Sequence, residues 1–311
     1  MGKKYLAPTD KFLALNCFAQ AYSIPKTMKL YAISDLHLDH RANRDALALM
    51  PYHPDDWLIL AGDICESAAH LAEALAVLTR RFAGLIWVPG NHELWVRADA
   101  DMANSVEKYL AMVKVCREFG VLTPEDPYLR WQGEGGEHLI APLHLLYDYS
   151  FRPDSVAREN AVSWAMESGI LCADERLIKP TPFETIAHWC ESRVAHSHAL
   201  LQRHAGDTPF ILVNHFPLRY DLVRIRKIPR FSIWCGTSAT ENWHRQFPVT
   251  AVVSGHLHVR ATDYRDGVRF EEVSLGYPRD WQHGLGLQHY LREILPGPQH
   301  RYNNAGPFWR I

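Results

Sequence analysis

The chain lacks the features that mark several broad classes of protein. Its 33 lysines and arginines are slightly fewer than its 35 aspartates and glutamates, and they form no basic run. A general nucleic-acid-binding or membrane-binding surface is therefore not expected, although a formal net charge of −2 still allows a local basic pocket. No apolar segment approaches the roughly 18 residues of a membrane-spanning helix, so no membrane partner is predicted.

Cysteine is scarce and scattered. The six cysteines lie far apart without a Cys-x-x-Cys pair, and no secretory signal is evident. This spacing argues against a zinc–thiolate site and against a disulfide framework. We expect reduced thiols in a cytoplasmic protein whose 311 residues, 47% of them hydrophobic, can bury a sizeable core.

Apolar segments alternate with segments of helical periodicity, which is the pattern of βαβ units. Each predicted strand of this kind is nearly all apolar, as expected for a sheet that is covered on both faces. The predicted strands span 29–34, 56–61, 85–88, 138–143, 208–213 and 249–254, with an alternating strand of antiparallel type at 268–275. The predicted helices span 41–50, 68–82, 101–119 and 183–204.

The segments around this α/β core indicate how the chain is organised. Residues 1–27 are predicted to be an N-terminal extension or leader, with a short amphipathic helix packed on the domain as the alternative. Residues 28–295 form the predicted domain, and its aromatic, proline-marked insert at 144–183 is interpreted as a lid or specificity segment. Residues 218–238 are expected to form a basic loop, and the tail at 296–311 is expected to wrap loosely over the domain.

Short polar clusters follow five of the predicted strands. Because the carboxyl ends of parallel strands meet at one edge of a sheet, these side chains are expected to lie together. Carboxylate and amide oxygens with imidazole nitrogens suit Mn²⁺, Fe or Zn²⁺ better than a soft metal. Seven or eight such ligands are too many for one ion and about right for two ions that share a carboxylate. The clusters are Asp35-x-His37, Gly62-Asp63, Gly90-Asn91-His92, Asn214-His215 and Gly255-His256-x-His258.

Each cluster taken alone also has an ordinary interpretation. The first fits a turn cap, the second a common turn, and the fourth a satisfied polar pair. The glycines at 62, 90 and 255 are predicted to let the backbone turn sharply, so that the next side chain points into the site. The order and the strand-end placement of all five clusters together favour a functional site.

In their residues and order, these clusters resemble the motifs of the calcineurin-like metallophosphoesterases: D-x-H, G-D, G-N-H-D/E, a later His after a strand, and G-H-x-H. The resemblance spans residues 35–258. It implies a four-layer α/β/β/α sandwich, with two mixed sheets flanked by helices and the site at the strand ends. It also implies a phosphoric ester hydrolase with two divalent ions, Mn²⁺ or Fe being expected and Zn²⁺ the alternative. One ion would be held by Asp35, His37, Asp63 and His258, and the other by Asp63, Asn91, His215 and His256.

The same resemblance implies a mechanism. In that family a hydroxide shared by the two ions attacks phosphorus, and a histidine that is not a ligand, here His92, protonates the leaving oxygen or stabilises charge. Glu66 stands where the protein Ser/Thr phosphatase branch has an Asp that orients this histidine; the alternative is an acidic residue favoured by a helix dipole. The run from Gly62 to Ala68 lacks the phosphate-binding Arg of that branch, which argues against phosphoprotein phosphatase activity.

Candidate substrate-binding residues are sought among the remaining arginines and aromatics. Planar bidentate binding of phosphate suits arginine, although for each candidate a solvated surface position is the alternative. Tyr149 alternates with Tyr147 and Phe151, so one face of this stretch is a candidate for stacking on a base or sugar; packing against the sheet edge is the alternative. The arginines are Arg219 and Arg230 in the basic loop, followed by Arg97 and Arg152.

We therefore predict a cytoplasmic dimetal hydrolase of a small-molecule phosphate mono- or diester, with a nucleotide-like substrate as one option. A nuclease of the same superfamily is the alternative, and the pI of about 6.8 and the absence of a basic stripe argue against it. An inactive metal-binding scaffold is a third hypothesis, but every ligand position and His92 are intact. Nucleic acid is not an expected partner, and the oligomeric state is not predicted.

Overall fold

The computed structural model describes residues 27–97, 102–298 and 302–311. These residues form eleven β-strands and seven α-helices, together with short 3₁₀ segments. The strands are β1 Leu30–Ile33, β2 His53–Ala61, β3 Phe82–Val88, β4 Leu129–Trp131, β5 His138–Pro142, β6 Phe210–Val213, β7 Val249–Ser254, β8 Ala261–Arg265, β9 Val268–Glu272, β10 Arg292–Leu295 and β11 Ala305–Trp309. The helices are α1 Arg41–Leu47, α2 Ala68–Leu78, α3 Ser105–Glu118, α4 Ala161–Met166, α5 Asp174–Leu177, α6 Ile186–His204 and α7 Trp243–Gln246.

The strands form two mixed sheets. In the first, with order β10-β1-β2-β3, the last three strands are parallel and β10 is antiparallel to β1. The second has order β11-β8-β9-β7-β6-β5-β4, with a parallel centre of β9, β7, β6 and β5 between antiparallel edges. A bridge between Ser34 and Ser274 links the residues after β1 to those after β9, so the polar ends of the two sheets meet.

The core divides into three buried clusters, which are the three interfaces of a four-layer sandwich. Successive side chains of a strand point to opposite faces, so each strand feeds two clusters. Ile59 of β2 and Ile211 of β6 lie in the cluster between the sheets. Leu58 and Leu60 belong to the cluster that includes helices α2 and α3, and Leu212 belongs to the cluster with α6 and α7. The predicted α/β/β/α fold is confirmed.

The main differences from the sequence-based expectations concern short and edge elements. Strands β4, β8, β10 and β11 were not predicted, because three to five residues carry too little periodicity to distinguish an edge strand from a loop. Strand β9 is antiparallel to β8, as expected, but it is also parallel to β7. Helix α3 begins at Ser105 because the side chain of Asn104 accepts the backbone N–H of Glu107, at 2.9 Å. Among the described residues, no helix is both long and apolar enough to cross a bilayer.

The C-terminal tail does not wrap loosely, and that expectation is wrong for residues 302–311. Strand β11 extends the second sheet by pairing with β8. Arg310 then reaches the fully buried Glu271, with its Nη1 2.8 Å from Oε2. The sequence concealed this strand because Gly306 and Pro307 within its five residues are typical of loops. Residues 1–26 of the predicted N-terminal extension lie outside the described residues.

Candidate metal centre and active site

The structure brings the residues of the strand-end clusters together at the edge where the two sheets meet. Three groups of side chains hold donor atoms within 4.8 Å of one another. They contain six of the seven predicted metal ligands and His92, and the seventh ligand, Asn91, lines the same cavity. The groups are Asp35, His37 and His258; His37, Asp63 and His92; and Asp63, His215 and His256.

Asp35 is fixed through one of its two carboxylate oxygens. The hydroxyls of Ser34 and Ser274 donate to Oδ2 at 2.6 and 2.7 Å, and the backbone N–H of His256 donates to it at 3.1 Å. The other oxygen, Oδ1, lies 3.1 Å from Nε2 of His258. The carboxylate therefore presents one oxygen to the histidines while its neighbours hold the other.

Glu93 organises the loops that carry Asp63 and Asn91. This fully buried carboxylate accepts the backbone N–H groups of Asp63 at 2.9 Å, Ile64 at 2.7 Å, Cys65 at 3.3 Å and Gly90 at 2.8 Å. One side chain thereby joins the loop after β2 to the loop after β3. Sequence reasoning placed Glu93 in a motif but gave it no role, because its four partners are backbone groups that no side-chain pattern reveals.

Asp174, in the insert, holds the amide of Asn91. Nδ2 of Asn91 donates to Oδ1 of Asp174 at 3.0 Å, and Nε1 of Trp95 donates to the same oxygen at 2.6 Å. Because the amino group is engaged, the carbonyl oxygen of Asn91 is free to act as a ligand. Asp174 was missed, since it lies 83 residues from Asn91 in the sequence.

Two of the histidines are oriented by hydrogen bonds to their far ring nitrogens. Nδ1 of His215 is 3.0 Å from the carbonyl oxygen of Ala61, and Nδ1 of His258 is 3.1 Å from Oδ2 of Asp280. Such contacts select the tautomer whose Nε2 lone pair faces the site. The sequence did not indicate Asp280, which follows His258 by 22 residues without a local motif.

Several buried donor atoms fit a metal better than they fit one another. Within the described part of the chain, Oδ1 of Asn91, Nε2 of His215 and Nε2 of His256 are buried without a hydrogen-bond partner, a rare state for polar atoms in a folded protein. Nε2 of His37 also faces Nε2 of His258 at 3.2 Å. A divalent cation would satisfy these atoms, and the oxygen and nitrogen donors match the metals expected from the sequence.

The electrostatics of the site divide its four histidine ligand candidates into two pairs. Burial lowers the pKa of His37 to about 4 and that of His256 to about 3, so both rings are neutral and offer lone pairs. Burial also opposes protonation of His215 and His258, but the fields of Asp63 and Asp35 outweigh it and raise each pKa to about 10. A bound metal ion would displace these protons, because only neutral imidazole is a ligand.

The backbone at the ligands is strained. Five predicted ligands have positive φ angles between 42° and 71°, a region that residues with a Cβ rarely adopt: Asp35, His37, Asp63, His256 and His258. Of the three glycines predicted to supply sharp turns, Gly62 has a positive φ of 86°, whereas Gly90 and Gly255 do not. Gly90 and Gly255 instead leave space for the aspartate side chains. A Cβ on Gly90 would lie 2.1 Å from Oδ1 of Asp63, and a Cβ on Gly255 would lie 2.4 Å from Oδ2 of Asp35.

His92 lies between Asp63 and Glu66. Its Nε2 is 3.8 Å from Oδ2 of Asp63, and its Nδ1 is 3.4 Å from Oε1 of Glu66. The ring also packs on Trp95 with 3.6 Å between centroids. Burial lowers the pKa of His92, but Asp63 and Glu66 outweigh that effect and the net shift is upward. Glu66 is itself held by Arg97, whose Nε donates to Oε2 at 2.8 Å.

The site opens into a cavity of about 400 Å³. Part of its wall comes from residues 171–173 of the insert, and the role of that segment as a specificity element stays a prediction. Tyr277 stacks on His37 with 4.3 Å between ring centroids, and Arg279, with a side chain 82% exposed, stands beside it. Apart from the metal-site residues, the wall is formed by Trp95, Leu171, Cys172, Ala173, Ile225, Ile228, Phe231, Leu257, Tyr277, Arg279 and Asp280.

The predicted substrate-binding residues do not line this cavity. Arg219 pairs with Asp221 at 2.8 Å, and Arg230 pairs with Glu167 at 2.8 Å. The hydroxyl of Tyr149 donates to Glu175 at 2.9 Å.

The neighbouring aromatics and arginine are also engaged elsewhere. Tyr147 and Phe151 are fully buried, which fits the packing alternative for that stretch. Arg152 donates to the carbonyls of Tyr149 and Val156. Residues 218–238 contain the 3₁₀ segments Tyr220–Leu222 and Pro229–Trp234, so they are more ordered than the predicted loop.

Comparisons with known proteins agree with this geometry. The model of the calcineurin-like phosphoesterase family matches residues 28–260. The chain is 44% identical over 274 residues to the acyl-carrier-protein phosphodiesterase PptH of Mycobacterium tuberculosis, covering 87% of this chain and 84% of that protein. The crystal structure of phosphopantetheinyl hydrolase (PptH) from M. tuberculosis has a TM-score of 0.83 and 43% identity, covering 88% of this chain and 98% of that one. The chain therefore belongs to the calcineurin-like phosphoesterases, and it is a metal-dependent hydrolase of phosphoric esters.

Proposed function

We propose that this chain hydrolyses the phosphodiester that joins a phosphopantetheine arm to an acyl carrier protein. The observation that carries this proposal is the 44% identity to a phosphodiesterase of acyl carrier protein, together with convergence of the predicted ligands and His92 in one cavity. The sequence suggested a small-molecule phosphoester; here the ester is attached to a protein. Water would be consumed, and the products would be the carrier-protein hydroxyl and free phosphopantetheine.

The proposed cofactor is a pair of divalent ions, Mn²⁺ or Fe being expected. Asp35, His37 and His258 would hold one ion, and Asn91, His215 and His256 the other. Asp63 is the proposed bridge, because it belongs to donor groups on both sides. Divalent ions in such a site polarise the phosphoryl group and lower the pKa of a coordinated water.

His92 is the proposed general acid. Its Nδ1 faces Glu66, which would hold the ring in place and keep a proton on that nitrogen. Its Nε2 is then the atom that donates a proton to the leaving oxygen of the carrier-protein hydroxyl. The upward shift of the His92 pKa, caused by Asp63 and Glu66 against the effect of burial, favours the protonated ring that this role requires.

The cavity wall suits a long, partly apolar arm. Leu171, Ile225, Ile228 and Phe231 give it apolar surface, and Arg279 supplies a cation. We propose Arg279 as the arginine that contacts the phosphate, since Arg219 and Arg230 lie outside the wall. The cytoplasmic location stays a prediction, which a carrier-protein substrate would fit.

The direct test is release of phosphopantetheine from a holo carrier protein, followed as a mass loss by mass spectrometry, in Mn²⁺ and in chelator. We expect loss of the arm with Mn²⁺, no loss with chelator, and none with Asp63→Asn. Bis-p-nitrophenyl phosphate serves as a parallel small diester. Cleavage of that compound without loss of the arm would support phosphodiesterase activity but refute the proposal that a carrier protein is the substrate.

A further inference from the structure

A second depression adjoins the active-site cavity, and we call it the basic groove. It has a volume of about 650 Å³. It shares Ile225, Ile228 and His258 with the active-site cavity, so the two are continuous at the mouth of the site. The basic groove is lined by Arg224, Ile225, Arg226, Lys227, Ile228, His258, Val259 and Trp309.

The cations of the basic groove are of two kinds. Arg224 is committed to Asp263, with its two terminal nitrogens 2.6 and 2.7 Å from the carboxylate oxygens. Arg226 and Lys227 are exposed, and neither forms an ion pair within residues 27–97, 102–298 and 302–311. Two unpaired cations beside the mouth favour an anionic partner there, even though the chain as a whole has a formal charge of −2.

The basic groove also exposes large apolar side chains. Trp309, on edge strand β11, is 54% exposed, and Ile228 is 41% exposed. Single exposed apolar residues are ordinary on protein surfaces, but here two of them line one depression together with unpaired cations. Tryptophan and arginine are the residues most enriched at the energetic centres of protein–protein interfaces.

The position of the reacting phosphate determines what must lie over this surface. In the proposed substrate the phosphorus is bonded directly to the hydroxyl oxygen of a carrier-protein side chain. When that phosphorus lies at the metal ligands, the protein surface around the modified residue must therefore cover the mouth of the cavity. The basic groove begins at that mouth, because His258 belongs to both linings.

We propose that the basic groove docks an acidic face of the carrier protein beside its modified residue. This inference rests on the proposed function and adds to it a protein–protein contact outside the cavity. Arg226 and Lys227 would pair with acidic side chains of the partner, and Trp309 would cover an apolar side chain. Such pairing raises the association rate and weakens as salt is added.

A charge-reversal variant, Arg226→Glu with Lys227→Glu, tests the docking. We expect kcat/KM for the holo carrier protein to fall at least tenfold, mainly through KM, and its salt dependence to flatten. Hydrolysis of bis-p-nitrophenyl phosphate should stay within twofold, because a small diester does not reach the groove. Trp309→Ala should lower kcat/KM for the carrier protein without flattening the salt dependence.

The matched control reverses the charge of two exposed arginines at the ends of the strands opposite the active site, Arg80→Glu with Arg203→Glu. These residues precede β3 and β6, so they lie at the amino ends of the strands. Both substrates should be hydrolysed as by the wild type. Unchanged carrier-protein kinetics and salt dependence in the Arg226/Lys227 variant would overturn the docking. Failure of the wild type to act on any carrier protein would instead refute the proposed function, and the docking with it.

Discussion

Asp174 offers the sharpest test of how the insert supports the metal centre. Its Oδ1 accepts hydrogen bonds from Nδ2 of Asn91 and Nε1 of Trp95. Asp174→Ala leaves both buried donors without an acceptor, at about 1–3 kcal/mol each, so the free energy of unfolding should fall by about 2–6 kcal/mol. The amide of Asn91 is then free to rotate, and we expect one metal site to weaken about 10–100-fold, as is typical when a residue that orients a ligand is removed.

The measurement is a calorimetric Mn²⁺ titration of each variant, beside unfolding in urea. The site built on Asp35, His37 and His258 should keep its affinity, because Asp174 contacts none of these residues. Asp174→Asn should retain most of the stability but still weaken metal binding, since an amide at this position can pair with either end of Asn91.

The control is Glu175→Ala in the same helix. Glu175 also accepts two hydrogen bonds, from the hydroxyl of Tyr149 and from Nε1 of Trp234, but it touches no predicted ligand. This variant should lose stability and keep both metal sites. If Asp174→Ala lost stability yet bound two Mn²⁺ ions with wild-type affinity, the carboxylate would be only a structural support and the argument would be refuted.

Three further predictions address other parts of the site and fold. His92→Ala should lower kcat for the diester by about 10²–10⁴-fold while both metal ions remain bound; wild-type turnover would show that His92 is not the acid. Gly90→Ala should abolish metal binding, because the new Cβ would lie 2.1 Å from Oδ1 of Asp63; a titration showing two intact sites would contradict the steric argument. Arg310→Ala should lower the free energy of unfolding by about 1.5–3 kcal/mol, because the buried Glu271 loses a charged hydrogen bond, with kcat for bis-p-nitrophenyl phosphate unchanged. Urea unfolding with no change in midpoint would mean that the tail adds little to stability.

The sequence predicted the site best where polar side chains that can bind a metal follow directly after a buried strand. The ligand clusters are local, since each combines an apolar run with polar residues within a few positions, and the order of the clusters is specific. The supporting residues carry no such signal. Asp174 and Asp280 become important only when α5 and the segment after β9 pack against the ligands.

The candidate substrate-binding arginines show where residue type misleads. Arg219 and Arg230 were chosen by residue type, but nearby carboxylates already bind both side chains. Arg279 has the same chemistry in a segment without a motif, and only the fold shows that it lines the cavity. Residue type alone could not distinguish an arginine away from the site from one that lines the cavity.

The left-handed backbone at five of the ligands also has an energetic cost. Each of these residues occupies a conformation that glycine would adopt without penalty, at a cost of about 1–2 kcal/mol per residue with a Cβ. The backbone conformation alone would therefore favour glycine over aspartate and histidine at these positions. In this chain aspartate or histidine occupies all five positions, so the backbone strain is concentrated at the proposed metal ligands.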